Sequence, residues 1–90
     1  MKKAVKRIDY SKSFDKQLKK APIKIKIAFR KRLKLFLLNS SSPQLRNHAL
    51  VGRYLGLRSI NVTGDWRAIY KEGKEVTIFL FLGTHSQLYK

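Results

Sequence analysis

The chain contains no cysteine, which excludes disulfides, thiolate zinc sites and cysteine nucleophiles together and suits a reducing compartment. Long apolar runs are also missing. The longest, Ile78 to Leu82, falls far short of the ~20 residues that span a bilayer, so no membrane partner is expected. The basic N-terminus is not followed by an apolar segment, so no secretory leader is expected and the cytoplasm is the expected compartment. There is no internal repeat and no glycine-rich phosphate loop, and neither histidine stands in an H-x3-H or HExxH spacing, which disfavours a resident metal. No cofactor is called for. Asn39-Ser40-Ser41-Ser42-Pro43 is the one polar stretch long enough to resemble a linker, and five residues do not separate two domains. Residues 1–90 therefore read as a single domain.

Acidic residues are scarce as well. Five Asp and Glu stand against 21 Lys and Arg, a net charge of +16. An excess of that size repels itself and persists where a polyanion binds. Its distribution is uneven: residues 1–34 carry fourteen bases against Asp9 and Asp15, a net +12, whereas residues 35–90 carry seven against Asp65, Glu72 and Glu75, a net +4. The basic half, with Lys16, Lys19, Lys20 and Lys24 prominent, points to RNA or an acidic partner. With 43% hydrophobic residues the chain still has enough apolar material for a folded core.

Hydrophobic periodicity sets the expected elements. Ala4–Ile8 reads as a first strand, closed by a turn at Asp9-Tyr10-Ser11 in which Ser11 or Ser13 caps a helix. Phe14, Leu18 and Ala21 form the apolar stripe of a helix over residues 12–21, and Pro22 suits the first turn of the next. Ile23-Lys24-Ile25-Lys26-Ile27 alternates like a strand, but Ile25, Phe29, Leu33 and Phe36 gather on one helical face, so residues 22–38 read as helix. Strands are expected around Arg53–Leu57, Arg58–Val62, Asp65–Lys71 and Glu75–Leu82. A tight turn at Lys71-Glu72-Gly73-Lys74 joins the last two. The run from Val76 to Leu82 suits an interior strand covered on both faces, with Val76, Ile78, Leu80 and Leu82 on one and Thr77, Phe79 and Phe81 on the other. The expected fold class is α+β, two N-terminal helices packed on a twisted antiparallel sheet of four to five strands.

Few side chains here do acid or base work. His48, Asp65, His85 and Tyr89 are the candidates, with Arg58, Trp66 and Arg67 as possible RNA contacts. Histidine, with an ordinary pKa near 6.5, transfers protons both ways at neutral pH. Asp65 after Gly64 equally suits a turn, and Trp66 equally suits core packing. Metal-free cleavage of a phosphodiester needs a base for the ribose 2′-OH, cations for the crowded phosphorane and an acid for the leaving 5′-oxygen, and this residue set supplies all three.

The segments LRNHALVG, GLRSINVTGDWRAIYK and GTHSQLY strongly resemble the YafQ branch of the RelE/ParE toxin superfamily. The resemblance implies a RelE-like fold, endoribonuclease activity on mRNA in the ribosomal A site, and neutralisation by a cognate acidic antitoxin. It implies that His85 is the general acid, that His48 or Asp65 is the base or orients it, that Trp66 completes an Asp-Trp pair, and that Arg67 faces the scissile phosphate. Tyr89 falls where the branch has an aromatic residue, usually Phe, and near a tyrosine that is catalytic in the RelE branch. Asn61 departs from the pattern, standing where the best-known members have another active-site histidine. Two alternatives are a ParE-like gyrase inhibitor, which needs no catalytic histidine, and a non-enzymatic RNA- or ribosome-binding protein. The toxin alone is expected to be a monomer.

Overall fold

A computed structural model describes residues 7–89. The elements run β1 (Ile8–Tyr10), α1 (Lys12–Lys20), α2 (Ile23–Leu38), β2 (His48–Ala49), β3 (Arg58–Asn61), β4 (Trp66–Glu72), β5 (Thr77–Thr84) and α3 (His85–Leu88). The five strands form one sheet in the order β1-β5-β4-β3-β2. The α+β class holds, with one modification: β1 pairs parallel to β5, while the other three pairings are antiparallel. Residues 4–6 of the expected first strand lie outside the described residues. Its described part begins at Ile8 and continues through Asp9 and Tyr10, where a turn was expected, because these residues pair with Thr77, Ile78 and Phe79.

Both helices follow their apolar spacing. Ser11 caps α1 by accepting the Phe14 N–H at 3.0 Å, and Asp15 in the first turn with Lys19 and Lys20 in the last complements the helix dipole. Pro22, lacking an N–H, separates the two helices. The ambiguous isoleucine run resolves as helix: Ile25 is buried at 4% exposure whereas Ile23 and Ile27 remain 70% and 48% exposed, as the helical period dictates.

The helices cover one face of the sheet, where the main core joins Phe14, Ile25, Phe29 and Phe36 to Ile60, Ala68, Tyr70, Phe79 and Leu82. Phe79 is its centre, with five other ring centroids at 5.4–6.1 Å. A smaller cluster of Leu50, Ile69 and Leu88, with Tyr54, Leu57, Phe81 and Tyr89 against it, lies apart from it.

Four expectations need correction. Ile69 pairs with Phe81 but Tyr70 pairs with Phe79, so Leu80 is an extra residue that breaks the alternation. Phe79 and Leu82 consequently share the main core, and Phe81 joins the other cluster. The bulge is tied down by α1: the Ser11 hydroxyl donates to the Leu80 carbonyl at 2.7 Å, and the Leu82 N–H donates to Gln17 Oε1 at 2.8 Å. Residues 53–57 form no strand, because Gly52 and Gly56 at φ 67° and 92° interrupt extended backbone. They belong instead to a loop closed by the Leu50 N–H to Leu57 carbonyl bond of 2.9 Å, and the edge strand is His48–Ala49. The β4–β5 turn comes later than expected, with Glu72 still paired to Thr77 and Gly73 N–H bonded to the Val76 carbonyl. Finally, β5 runs on to Thr84 and is followed by α3, whose T-x-x-Q capping box (Thr84 to Gln87) was legible in the sequence.

Candidate active site

Opposite the helices, the sheet floors an open groove of about 800 Å³ lined by Arg46, His48, Asn61, Arg67, His85 and Tyr89, among others. Strand register explains the convergence. His48 pairs with Ser59, and Asn61, two residues further along β3, pairs with Arg67, so period-two alternation sends all four side chains to one face. Arg67 in turn pairs with Gly83. A Cβ on Gly83 would meet Gln87 Oε1 at 3.1 Å and Leu88 Cγ at 3.3 Å, so glycine here lets α3 fold back closely and bring His85 to the groove.

Each histidine is fixed by backbone. The Nδ1 of His48 lies 2.8 Å from the Arg46 carbonyl. Since a carbonyl only accepts, Nδ1 is the donor, and in the neutral ring that leaves the lone pair on Nε2. Arg46 itself has φ 47°, a left-handed conformation that costs a non-glycine residue about 1–2 kcal/mol. His85 opens α3. Its N–H donates to the Asp65 main-chain carbonyl at 3.0 Å, its own carbonyl accepts the Tyr89 N–H at 3.0 Å, and its ring lies 4.8 Å from that of Tyr89. Tyr89 is braced by Tyr54, edge-on at 5.6 Å, whose hydroxyl donates to the Leu88 carbonyl at 2.6 Å.

Arg67 is aimed by three carbonyls, those of Thr63, Gly64 and Trp66, which accept from one guanidinium nitrogen at 3.0–3.2 Å. No acidic side chain is among the described residues lining the groove. The site therefore presents two imidazoles, two guanidiniums and a phenol, a set suited to an anion and to proton transfer around it.

The sheet parts the remaining candidates from this group. In Asp65-Trp66-Arg67 the strand sends Trp66 to the helix side, where it packs against the main core, and Arg67 to the groove. Arg58 pairs with Tyr70 and also lies on the helix side, donating to Asn47 Oδ1 at 2.9 Å, while Asn47 donates to the Tyr70 hydroxyl at 2.7 Å. Burial raises the Tyr70 hydroxyl above its ordinary pKa, against the opposing pull of Asn47 and Arg58. The Asp65 carboxyl is exposed and does not line the groove; its contact with His85 runs through the main chain. Lys16, Lys19, Lys20 and Lys24 are exposed on α1 and the start of α2, across the sheet from the histidines.

Sequence reasoning passed over Arg46, Asn47 and Tyr54, which position the site. Asn47 and Tyr54 act through long-range hydrogen bonds, and Arg46 through its main-chain carbonyl, neither of which carries a local signature. It also passed over Ser59, whose hydroxyl is fully buried without a partner beside His48. Among the described residues no three His, Asp or Glu side chains come close enough to hold a metal ion, and no helix is long and apolar enough to cross a membrane.

The fold is that of the RelE-like toxins. Residues 6–90 match the family described as the bacterial YafQ toxin of type II toxin–antitoxin systems, and the chain belongs to that family. It resembles YafQ from Escherichia coli strain BL21(DE3), with 29% identity, a TM-score of 0.76 and coverage of 94% of this chain and 99% of that one. YafQ in the E. coli DinJ–YafQ toxin–antitoxin complex gives 27% identity, a TM-score of 0.70 and coverage of 96% and 100%. A conserved hypothetical protein of Helicobacter pylori gives 25%, 0.72, and 92% and 98%. Comparison with proteins of curated function gives no significant match.

Proposed function

We propose that this toxin is a ribosome-associated endoribonuclease that cleaves mRNA by attack of a ribose 2′-OH, without a metal, and that a cognate acidic antitoxin neutralises it. The observation that carries the reading is the convergence of His48, Arg67 and His85, from three separate elements, on one groove that no acidic side chain lines among the described residues. His48 is favoured over Asp65 as the base, because its Nε2 holds an available lone pair in the groove while the Asp65 carboxyl stands outside it. Nε2 takes the 2′-OH proton as the O2′–P bond forms. Arg67, with Arg46 beside it, offsets the charge of the phosphorane. His85 as imidazolium protonates O5′ as the P–O5′ bond breaks, leaving a 2′,3′-cyclic phosphate and a 5′-hydroxyl. Tyr89 holds the His85 ring and adds a hydroxyl at the groove. Asn61 offers hydrogen bonds without titrating. The excess of positive charge suits both ribosomal RNA and an acidic antitoxin segment, in keeping with the DinJ partner of E. coli YafQ.

The test incubates the purified chain with translating ribosomes and maps mRNA ends, alongside a gyrase supercoiling assay. Cleavage that falls about 10²-fold or more in His85→Ala, with ribosome binding retained, is the expected result. Full activity of that variant removes the assigned acid. Gyrase inhibition without cleavage favours a ParE-like activity instead, and ribosome binding without either favours a non-enzymatic binder.

A further inference from the structure

The short helix α3 has two sides. His85 and Tyr89 face the groove, while Gln87 and Leu88 line a separate cavity of about 320 Å³ shared with Gln17, Lys20 and Trp66. Its apolar lining is completed by Ala21 and Leu82. Its polar side chains are of one kind. Gln17 Oε1 accepts the Leu82 N–H at 2.8 Å, and Gln87 Oε1 accepts the Thr84 N–H at 2.9 Å. Because a backbone N–H bonds the oxygen end of a carboxamide, both orientations are fixed and each glutamine keeps its NH2 to give. Lys20 adds an ammonium, a donor only. Trp66 is half-buried, packing against the main core and also lining the cavity.

A cavity lined by an aromatic residue, three side-chain donor groups and, among the described residues, no carboxylate calls for a flat ligand rich in acceptors. We infer that it is a second RNA subsite, holding a nucleotide that flanks the cleaved one, with its base against Trp66 and its acceptors on Gln17, Gln87 and Lys20. Guanine (N7 and O6) and uracil (two carbonyls) present the matching edges, and Lys20 suits the adjoining phosphate. A carboxylate would engage the donors but leave the aromatic wall unused, whereas base stacking on such a wall strengthens single-strand binding. The two sites flank the same short helix. A helix with its side chains is roughly 10–12 Å across, so one RNA strand crossing α3 reaches both the groove and the cavity. The inference rests on the RNA-cleaving reading of the groove.

Trp66 is the sole tryptophan, so its fluorescence reports on this cavity alone. The full chain is titrated with a short 2′-O-methyl oligoribonucleotide, which lacks the attacking hydroxyl, and binding is measured in parallel by filter retention. Saturable quenching is expected at the concentration at which RNA is retained. Trp66→Leu should weaken retention about tenfold. Lys20→Ala, an exposed change that spares the core, should weaken it less and reduce the salt slope by about 0.7. Quenching that persists while ribosome-dependent cleavage is absent supports RNA binding at this cavity, removes the nuclease reading and overturns the assignment of a flanking nucleotide. RNA retained with unaltered Trp66 emission overturns the subsite and leaves the nuclease reading in place. Failure to bind RNA, or quenching by poly-glutamate but not by RNA, also overturns it.

Discussion

Replacing Tyr54 by Phe removes one oxygen atom, and its consequence can be followed bond by bond. The ring stays, so its contacts with Tyr89 at 5.6 Å and Phe81 at 6.0 Å are kept, while the 2.6 Å bond to the Leu88 carbonyl is lost. An intramolecular hydrogen bond contributes about 1 kcal/mol net. Arg53 Nη2 also reaches that carbonyl, at 3.4 Å, so the acceptor is not orphaned and the larger penalty of an unsatisfied buried group does not apply. The loss falls on α3, whose docking depends on this bond, on the capping box and on the Asp65 carbonyl. A change of about 1 kcal/mol raises the open fraction of α3 roughly fivefold. Native-state hydrogen exchange reads this directly. The amides of His85 and Tyr89, bonded to the Asp65 and His85 carbonyls, should exchange about five times faster, while those of Ala68 and Ile69 in β4 stay unchanged. Cleavage should fall through kcat rather than KM. Unaltered exchange at His85 and Tyr89, or uniform acceleration across the sheet, would refute the view that Tyr54 holds α3 in place.

Three further outcomes are expected. Removing Lys16, Lys19, Lys20 and Lys24 together should weaken ribosome affinity and flatten its salt dependence without moving the cleavage position; a salt titration that superposes on wild type would reduce this face to mere surface. Phe79→Ala, at the junction of six rings, should cost about 3–5 kcal/mol in urea unfolding, and a loss below about 1 kcal/mol would misplace the core's centre. Ser59→Ala removes a buried hydroxyl that has no partner, so stability should hold or rise, by up to about 1–3 kcal/mol; a clear loss would mean that the hydroxyl is bonded in solution.

What was legible in the sequence was local. Ile25, Phe29 and Phe36 repeat at helical spacing, so α2 could be read despite the alternating isoleucines beside them. The Leu80 bulge could not, because it arises where β5 meets both β4 and the side chains of Ser11 and Gln17, 69 and 65 residues away in the chain. The parallel pairing of β1 is likewise a contact between distant segments. For the candidate site, His48, Arg67 and His85 were singled out in the sequence, and their meeting in one groove depends on register. The separation of Trp66 from Arg67 was available in principle, since neighbours on a strand point to opposite faces. Residues taken as a motif are neighbours in sequence before they are neighbours in space. Asp65 illustrates the reverse: its side chain drew notice, yet its main-chain carbonyl makes the contact with His85, and no residue identity encodes that.

The division of the sheet also bears on how such a toxin changes over generations. Stability is concentrated among the aromatic residues under α1 and α2, whereas the groove residues Asn61, Val51 and Tyr89 are half-buried or exposed and lie outside that core. Substitutions at those positions therefore draw little on the folding free energy and can accumulate one at a time. Recognition can drift while the scaffold stands still. An asparagine at position 61, half-buried and outside that core, is the sort of side chain this arrangement leaves free to vary without first evolving a new core.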